Sequence, residues 1–131
     1  MTSQGLIDGA GVEQLFDLWA EAVTSRDVER VVALYAHDAV LVPTLSNALR
    51  RNPSEIAEYF AEFLLGGPQP RILQGVVREM GEVAVFSGLY RFTMTALPDR
   101  PEIDARFTFV YQRQEPGWTI VTHHSSVMPV A

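Results

Sequence analysis

The sequence predicts an α+β fold in which helices pack on one face of an antiparallel sheet. Apolar residues recur at helical spacing in the first half of the chain, and from residue 71 onward they alternate with a period of two. The strands predicted in this second half are joined by short connections, which are typical of antiparallel neighbours. Helices that precede a run of strands, instead of alternating with them, indicate the α+β class.

Composition limits the possible functions. The 131 residues match one domain, and 47% of them are hydrophobic, as in an ordinary globular protein. No apolar run approaches the roughly 20 residues that span a bilayer, and residues 1–10 lack the features of a secretory signal. We therefore expect a cytoplasmic protein without a membrane partner. The net charge of −6 argues against nucleic acid as a partner, and the absence of cysteine and lysine excludes thiolate and Schiff-base catalysis.

The first elements of the domain are two helices. Residues 1–10 are polar and glycine-rich, and we expect them to form a loose lead-in to one domain over residues 11–131. Apolar positions three and four apart predict a helix over residues 12–23. Asp27 is a suitable N-cap for a second helix, whose apolar stripe extends to Tyr35.

A short strand and a third helix follow. Residues 39–44 predict the strand, in which Pro43 suits an end at the sheet edge. Asn52 is a suitable N-cap and Pro53 a suitable first residue for the third helix. Two glycines and a proline at positions 66–68 are expected to end that helix.

The remainder predicts four strands, over residues 71–80, 82–96, 103–114 and 118–127. Gly81 and the sequence Glu115-Pro116-Gly117 predict tight turns between them. The third of these strands carries aromatic residues on one parity and mixed residues on the other, so both of its faces need cover. Helices can cover one face. We expect a second copy of the chain to cover the other, which gives a homodimer through the sheet.

Four stretches carry a resemblance to a known family: L-F-D-L-W-A-E-A-V-T-S-R-D, L-Y-A-H-D-A-V-L-V-P, A-R-F-T-F-V-Y and G-W-T-I-V-T-H-H-S-S-V-M-P. Together they resemble the nuclear-transport-factor-2-like superfamily, and within it the SnoaL-like proteins related to the association domain of calcium/calmodulin-dependent kinase II. The H-H-S-S-x-M-P ending is similar to small proteins of enediyne and other polyketide gene clusters. The resemblance implies a cone-shaped curved antiparallel sheet wrapped around three helices, with a pocket between them.

The resemblance also implies which side chains line that pocket. It places Trp19 at the cavity and Arg91 at the position of a pocket arginine. The implied inward set on the strands is Ser87, Leu89, Arg91, Thr93, Phe107, Phe109, Val121, His123 and Ser125. Tyr59 on the third helix is a further candidate for ligand binding. By alternation, His124 and Ser126 are expected on the opposite face.

Each candidate has two interpretations. His123 is either the proton-transfer group of the pocket or a hydrogen-bonded histidine in its wall. Arg91 either anchors an anionic or carbonyl group of a ligand or forms an internal salt bridge. A set of aromatic residues either forms core or lines a flat apolar slot: Trp19, Tyr35, Tyr59, Phe63, Phe107 and Phe109. His123 and the adjacent His124 point to opposite faces of a strand, so we expect no metal site.

Three classes of function remain open. The first is an enzyme of natural-product biosynthesis, a cofactor-free isomerase, cyclase or dehydratase that uses acid–base chemistry on a hydrophobic small molecule. The second is a non-catalytic ligand-binding protein, and the third is a homo-oligomeric association domain. The ketosteroid-isomerase branch of the superfamily implies a carboxylate base at the position of Pro43 and an oxyanion donor at Trp19, so that proton-abstraction scheme is not supported. No cofactor motif is present, and we expect no cofactor.

Overall fold

The computed structural model describes residues 9–114 and 117–129 of the chain. The elements are α1 (Gly9–Ser25), α2 (Val28–Val32), β1 (Tyr35–Val42), α3 (Pro53–Phe63) with a 3₁₀ turn (Leu64–Gly66), β2 (Pro68–Met80), β3 (Val83–Met94), β4 (Glu102–Gln114) and β5 (Gly117–Val127). The predicted α+β class is confirmed. Most of the predicted lead-in lies outside the described residues, but α1 begins earlier than expected, at Gly9. Residues 115 and 116 of one predicted turn also lie outside them.

The described strands form one curled sheet in the order β1-β5-β4-β3-β2. Strands β2 to β5 are antiparallel neighbours, as predicted. Strand β1 runs parallel to β5, so the sheet is mixed, and it does not close because β1 and β2 remain its edges. The helices lie against the concave face, and α1 covers its centre.

Local sequence signals explain the helix ends. The side chain of Asp27 accepts hydrogen bonds from the backbone N–H groups of Glu29 and Arg30, which caps α2 as predicted. Asn52 caps α3 in the same way through the N–H of Glu55, 2.8 Å away. The predicted length of α2 is wrong: it stops at Val32, and Tyr35 begins β1 because it pairs with Ile120 of β5.

A glycine allows the sheet to bend. The register between β2 and β3 shifts near Ile72 and Gln74, and at this point β2 passes directly over Gly88. A Cβ atom on Gly88 would lie 1.9 Å from the carbonyl oxygen of Gln74, so no other residue fits. A β-bulge of this kind bends its strand and increases the local twist of the sheet.

The core between helices and sheet is aromatic. Phe16 and Trp19 of α1 pack against Tyr90 of β3 and Phe109 of β4, with ring centroids 5.2 to 6.4 Å apart. Burial of each such side chain stabilises the fold by about 1.5–3 kcal/mol. Within the described residues, no helix is both long and apolar enough to cross a bilayer.

Candidate functional site

A set of polar side chains is buried inside this aromatic core. His123 is 2% exposed, and Ser125 and Thr44 are buried beside it. These three residues come from β5 and from the segment that follows β1. Burial of polar groups is unfavourable unless they are hydrogen-bonded, so their partners decide what the site can do.

The partners form one continuous network, which we call the buried relay: Trp19, Tyr35, His123, Tyr90, Ser125 and Thr44. Trp19 Nε1 donates to Tyr35 Oη at 3.0 Å, and Tyr35 Oη lies 2.8 Å from His123 Nδ1. On the other side of the imidazole ring, Nε2 lies 3.2 Å from Tyr90 Oη. Tyr90 Oη donates to Ser125 Oγ at 2.5 Å, and Ser125 Oγ contacts Thr44 Oγ1.

The relay consists of neutral groups. Burial lowers the pKa of His123 from 6.5 to about 3, with a smaller contribution from the nearby His124. Burial likewise raises the pKa values of the Tyr35 and Tyr90 hydroxyl groups well above 10.0. At neutral pH the site therefore holds a neutral imidazole between two neutral phenols, and as a free base His123 is weak.

The relay opens into a small cavity, which we call the inner chamber. Its walls are mostly aromatic and apolar, and they are formed by Trp19, Leu41, Pro43, Thr44, Tyr59, Phe60, Phe63, Tyr90, Phe92, His123 and Ser125. The chamber volume is about 10 Å³, which is room for about one water molecule. In this conformation the interior is therefore almost filled.

A wider depression lies directly outside the chamber. This outer groove has a volume of about 220 Å³ and is lined by Thr44, Leu45, Ser46, Arg50, Tyr59, Glu62 and Phe63. Tyr59 and Phe63 line both spaces, and their rings stack 5.5 Å apart. The Tyr59 hydroxyl donates to the backbone oxygen of Thr44 at 2.8 Å. These two aromatic side chains therefore separate the groove from the chamber.

Four of the predicted site residues line the inner chamber: Trp19, Tyr59, His123 and Ser125. Phe107 and Phe109 are buried on the concave face but lie behind the chamber wall, where Phe109 stacks on the His123 ring at 4.0 Å. His124 is exposed on the opposite face, as alternation predicts. Val121 is only half-buried, because a β-bulge near Val121 shifts the register of β5.

The predicted place of Arg91 in the pocket is wrong. Arg91 lies on the convex face of the sheet, where its Nε and Nη2 donate to the two carboxylate oxygens of Asp104 at 2.6 and 3.0 Å. Glu102 lies 3.7 Å from its Nη1. Ser87, Leu89 and Thr93 share this parity and are wrong for the same reason. The concave parity of β3 instead carries Ala84, Phe86, Tyr90, Phe92 and Met94, whose apolar surface packs against the helices.

The sequence does not predict the relay roles of Tyr35, Tyr90 and Thr44, although Tyr35 belongs to the aromatic set expected as core or cavity wall. The apolar spacing predicts Tyr35 on the second helix, and the inward position implied for Arg91 puts its neighbour Tyr90 on the opposite face. One signal was available for Tyr90, since it shares its parity with Phe86 and Phe92. Thr44 had no signal, because its position depends on how the segment after β1 folds back over Ser125.

Comparison with known proteins agrees with this fold. A family model described as a SnoaL-like domain matches residues 12–131. A calcium/calmodulin-dependent protein kinase II association-domain-like protein of Xanthomonas campestris has 38% sequence identity and a TM-score of 0.89, with 95% of this chain and 91% of that chain covered. No curated protein matches the chain significantly.

More distant structures share the fold alone. A dehydratase-like member of the NTF2-like family from Streptomyces avermitilis has 16% identity and a TM-score of 0.76, covering 91% of this chain and 94% of that one. A ketosteroid-isomerase-like protein of Parabacteroides distasonis has 18% identity and a TM-score of 0.75, covering 98% and 93%. Proteins with this fold are thus named after several different reactions, so the function of this chain must be argued from its site.

Proposed function

The chain belongs to the SnoaL-like domain family, and we propose that it is a small-molecule pocket protein whose ligand places an oxygen atom at the chamber end of the relay formed by His123, Tyr90, Ser125 and Thr44. One observation supports this proposal above the others: a continuous relay of buried polar side chains reaches an otherwise aromatic chamber. An apolar core of the same shape would be at least as stable without these groups, which suggests that they serve a ligand.

The wall of the chamber indicates the shape and polarity of the ligand. Small-molecule pockets have volumes of about 300–1,000 Å³ and combine apolar walls with a few polar groups. The ligand would therefore displace Tyr59 and Phe63 and unite the chamber with the outer groove of about 220 Å³. A flat, hydrophobic compound with a carbonyl or hydroxyl group fits this arrangement. A polyketide-type intermediate is such a compound, and we propose it as the substrate class.

If the bound compound reacts, the relay favours cofactor-free acid–base chemistry such as isomerisation, cyclisation or dehydration. The hydroxyl group of Thr44, supported by those of Ser125 and Tyr90, would stabilise negative charge that develops on the ligand oxygen. His123 is buried and neutral, so it would support this charge through hydrogen bonds instead of acting as a free base. The dehydratase-like and ketosteroid-isomerase-like proteins of the same fold carry names of this reaction type.

Native mass spectrometry of freshly purified protein tests the proposal. We expect a co-purifying apolar compound with the wild-type protein and its loss with His123→Gln, which disturbs the relay. His124→Gln is the matched control, because His124 is the next residue on the same strand and is exposed on the opposite face. A wild-type protein free of bound compound, which also fails to take up hydrophobic ketones added in solution, would contradict the proposal.

A second candidate function is homo-oligomeric association through the convex face of the sheet. The 38% identical relative carries an association-domain name. The convex face of this chain presents half-buried apolar residues. Val85 and Val110 pair across β3 and β4, and the ion pair of Arg91 with Asp104 lies on the same face. We propose that a second copy of the chain covers this surface. A strictly monomeric protein at micromolar concentration in analytical ultracentrifugation would contradict it.

A further inference from the structure

We propose that Trp19 is a positioning residue that sets the direction of the buried relay, that is, which partner donates in each of its hydrogen bonds. With this direction the chamber offers a hydrogen-bond donor and selects a ligand with an acceptor, such as a carbonyl or enolate oxygen. The inference rests on the proposed ligand-binding function and names the chemical group that the site would recognise. It follows from the number of protons that each member of the relay can give.

The direction begins at the indole ring. Trp19 Nε1–H can only donate, and it lies 3.0 Å from Tyr35 Oη. Tyr35 therefore accepts this bond with its oxygen. Its own proton is then available for His123 Nδ1, which lies 2.8 Å away. The indole thus makes Tyr35 the donor in its bond with the imidazole.

The imidazole carries the direction across the site. In a neutral histidine one ring nitrogen is a donor and the other an acceptor. Because Nδ1 of His123 accepts from Tyr35, the proton resides on Nε2, which donates to Tyr90 Oη at 3.2 Å. The Tyr90 proton is directed to Ser125 Oγ at 2.5 Å.

The relay ends at the chamber wall. Ser125 accepts from Tyr90 and directs its own proton to Thr44 Oγ1, which it contacts. Among the described residues, Tyr90 Oη also interacts with the Thr44 hydroxyl group, but this oxygen already accepts from His123 Nε2. Because Thr44 lines both the chamber and the outer groove, its hydroxyl proton is available to an oxygen atom that enters from the groove.

The opposite direction is disfavoured by Trp19. If Thr44 donated inward and each bond were reversed, Tyr35 would accept from both Trp19 and His123. The Tyr35 proton would then be buried with no acceptor among the described residues, and an unsatisfied buried donor is costly. Without the indole N–H the two directions differ much less in free energy, because each leaves either the donor or the acceptor of the Tyr35 hydroxyl group unsatisfied.

The tautomer of His123 tests the direction directly. In protein labelled with ¹⁵N-histidine, we expect the NMR signals of His123 to show a proton on Nε2 and none on Nδ1 at pH 7. His123→Gln identifies the signals of His123 by their loss, since His37 and His124 remain in that variant and are exposed. A wild-type His123 that carries its proton on Nδ1 would overturn the inference without any further variant.

Two replacements of Trp19 test its role. In Trp19→Phe, and with 3-benzothienylalanine at position 19, which keeps the shape of tryptophan and lacks the N–H, we expect the Nδ1–H tautomer to become populated. Tyr111→Phe is the control, because Tyr111 Oη is buried with no hydrogen-bond partner among the described residues and its ring stacks on Phe109. An unchanged tautomer in the folded benzothienylalanine protein would overturn the inference.

Two probes of similar size test the selectivity. Acetophenone carries only an acceptor and indole carries only an N–H donor. We expect the wild-type protein to bind acetophenone about tenfold more tightly than indole, and the Trp19 variants to lose most of this preference. A wild-type preference for indole would overturn the inference. If neither probe binds while the Nε2–H tautomer is found, the proposed ligand-binding function fails and the direction of the relay is supported.

Discussion

Polar residues on the two faces of the sheet differ in burial and in charge. On the concave face, His123 is 2% exposed, neutral and hydrogen-bonded on both ring nitrogens. On the convex face, Arg91 is 28% exposed and pairs as an ion with Asp104. Tyr90 and Arg91 are adjacent residues, yet one is part of the relay and the other is part of a surface ion pair. A buried polar side chain is therefore kept neutral and hydrogen-bonded, whereas a partly exposed one remains charged and is screened by solvent.

The largest difference between the faces should appear when the relay loses its aromatic support. Trp19→Ala removes a fully buried ring that contacts Tyr90 and Phe109 and donates to Tyr35. We expect the free energy of unfolding to fall by about 3–5 kcal/mol. Trp118→Ala is the matched control, because Trp118 is only half-buried, and its loss should be clearly smaller in urea denaturation. Trp118 packs against α1 at the edge of the same core, so equal losses would contradict a special weight for the position of Trp19 beside the relay.

Removal of one hydroxyl group from the relay should have the next largest effect. Tyr90→Phe leaves the phenyl ring in place but deprives His123 Nε2 and Ser125 Oγ of their partner. We expect a loss of about 2 kcal/mol in the free energy of unfolding, because two buried polar groups lose a hydrogen bond.

Tyr111→Phe removes a buried hydroxyl group that has no hydrogen-bond partner in the part of the chain that the structure describes. We expect this control to be neutral or slightly stabilising in the same denaturation experiment. If both substitutions had the same effect, the relay would contribute nothing beyond packing.

The pH dependence of stability sharpens the comparison within one strand. Burial lowers the pKa of His123 to about 3, whereas in the unfolded chain it is about 6.5. Between these pH values the unfolded state binds a proton that the folded state does not, so stability falls as the pH falls. We expect His123 to account for a loss of roughly 1.5 kcal/mol between pH 6.5 and pH 5.

Urea denaturation at several pH values measures this slope. His123→Gln should flatten the slope in this window, and His124→Gln should leave it as in the wild-type protein. A steep slope that survives in His123→Gln would mean that other groups cause it.

The smallest effect is expected on the convex face. Arg91→Gln breaks the bidentate pair with Asp104, but both groups are partly exposed and screened by solvent. We expect a loss of stability smaller than for any of the relay substitutions above, which disappears in high salt. Binding of acetophenone should not change, because Arg91 lies on the other side of the sheet. A loss of acetophenone binding in Arg91→Gln would show that Arg91 contributes to the ligand site.

Much of the fold was predictable because its signals are local. The N-caps Asp27 and Asn52 and the change of apolar period from helix to strand depend only on neighbouring residues. The burial of His123 and Ser125 followed from alternation once the resemblance had placed β5. The position of Tyr35 was not predictable in this way, because β1 begins where the chain meets β5.

The sequence by itself determined the elements, their order and the aromatic character of the core. It also determined that neighbouring residues of β3 must face opposite sides, but not which side meets the helices. Only the tertiary structure decided that Tyr90 lies inside and Arg91 outside, and only there do six side chains from distant parts of the chain meet as one relay. The physical reason is that alternation depends on the local backbone, whereas hydrogen bonds between distant residues depend on how the whole sheet curls.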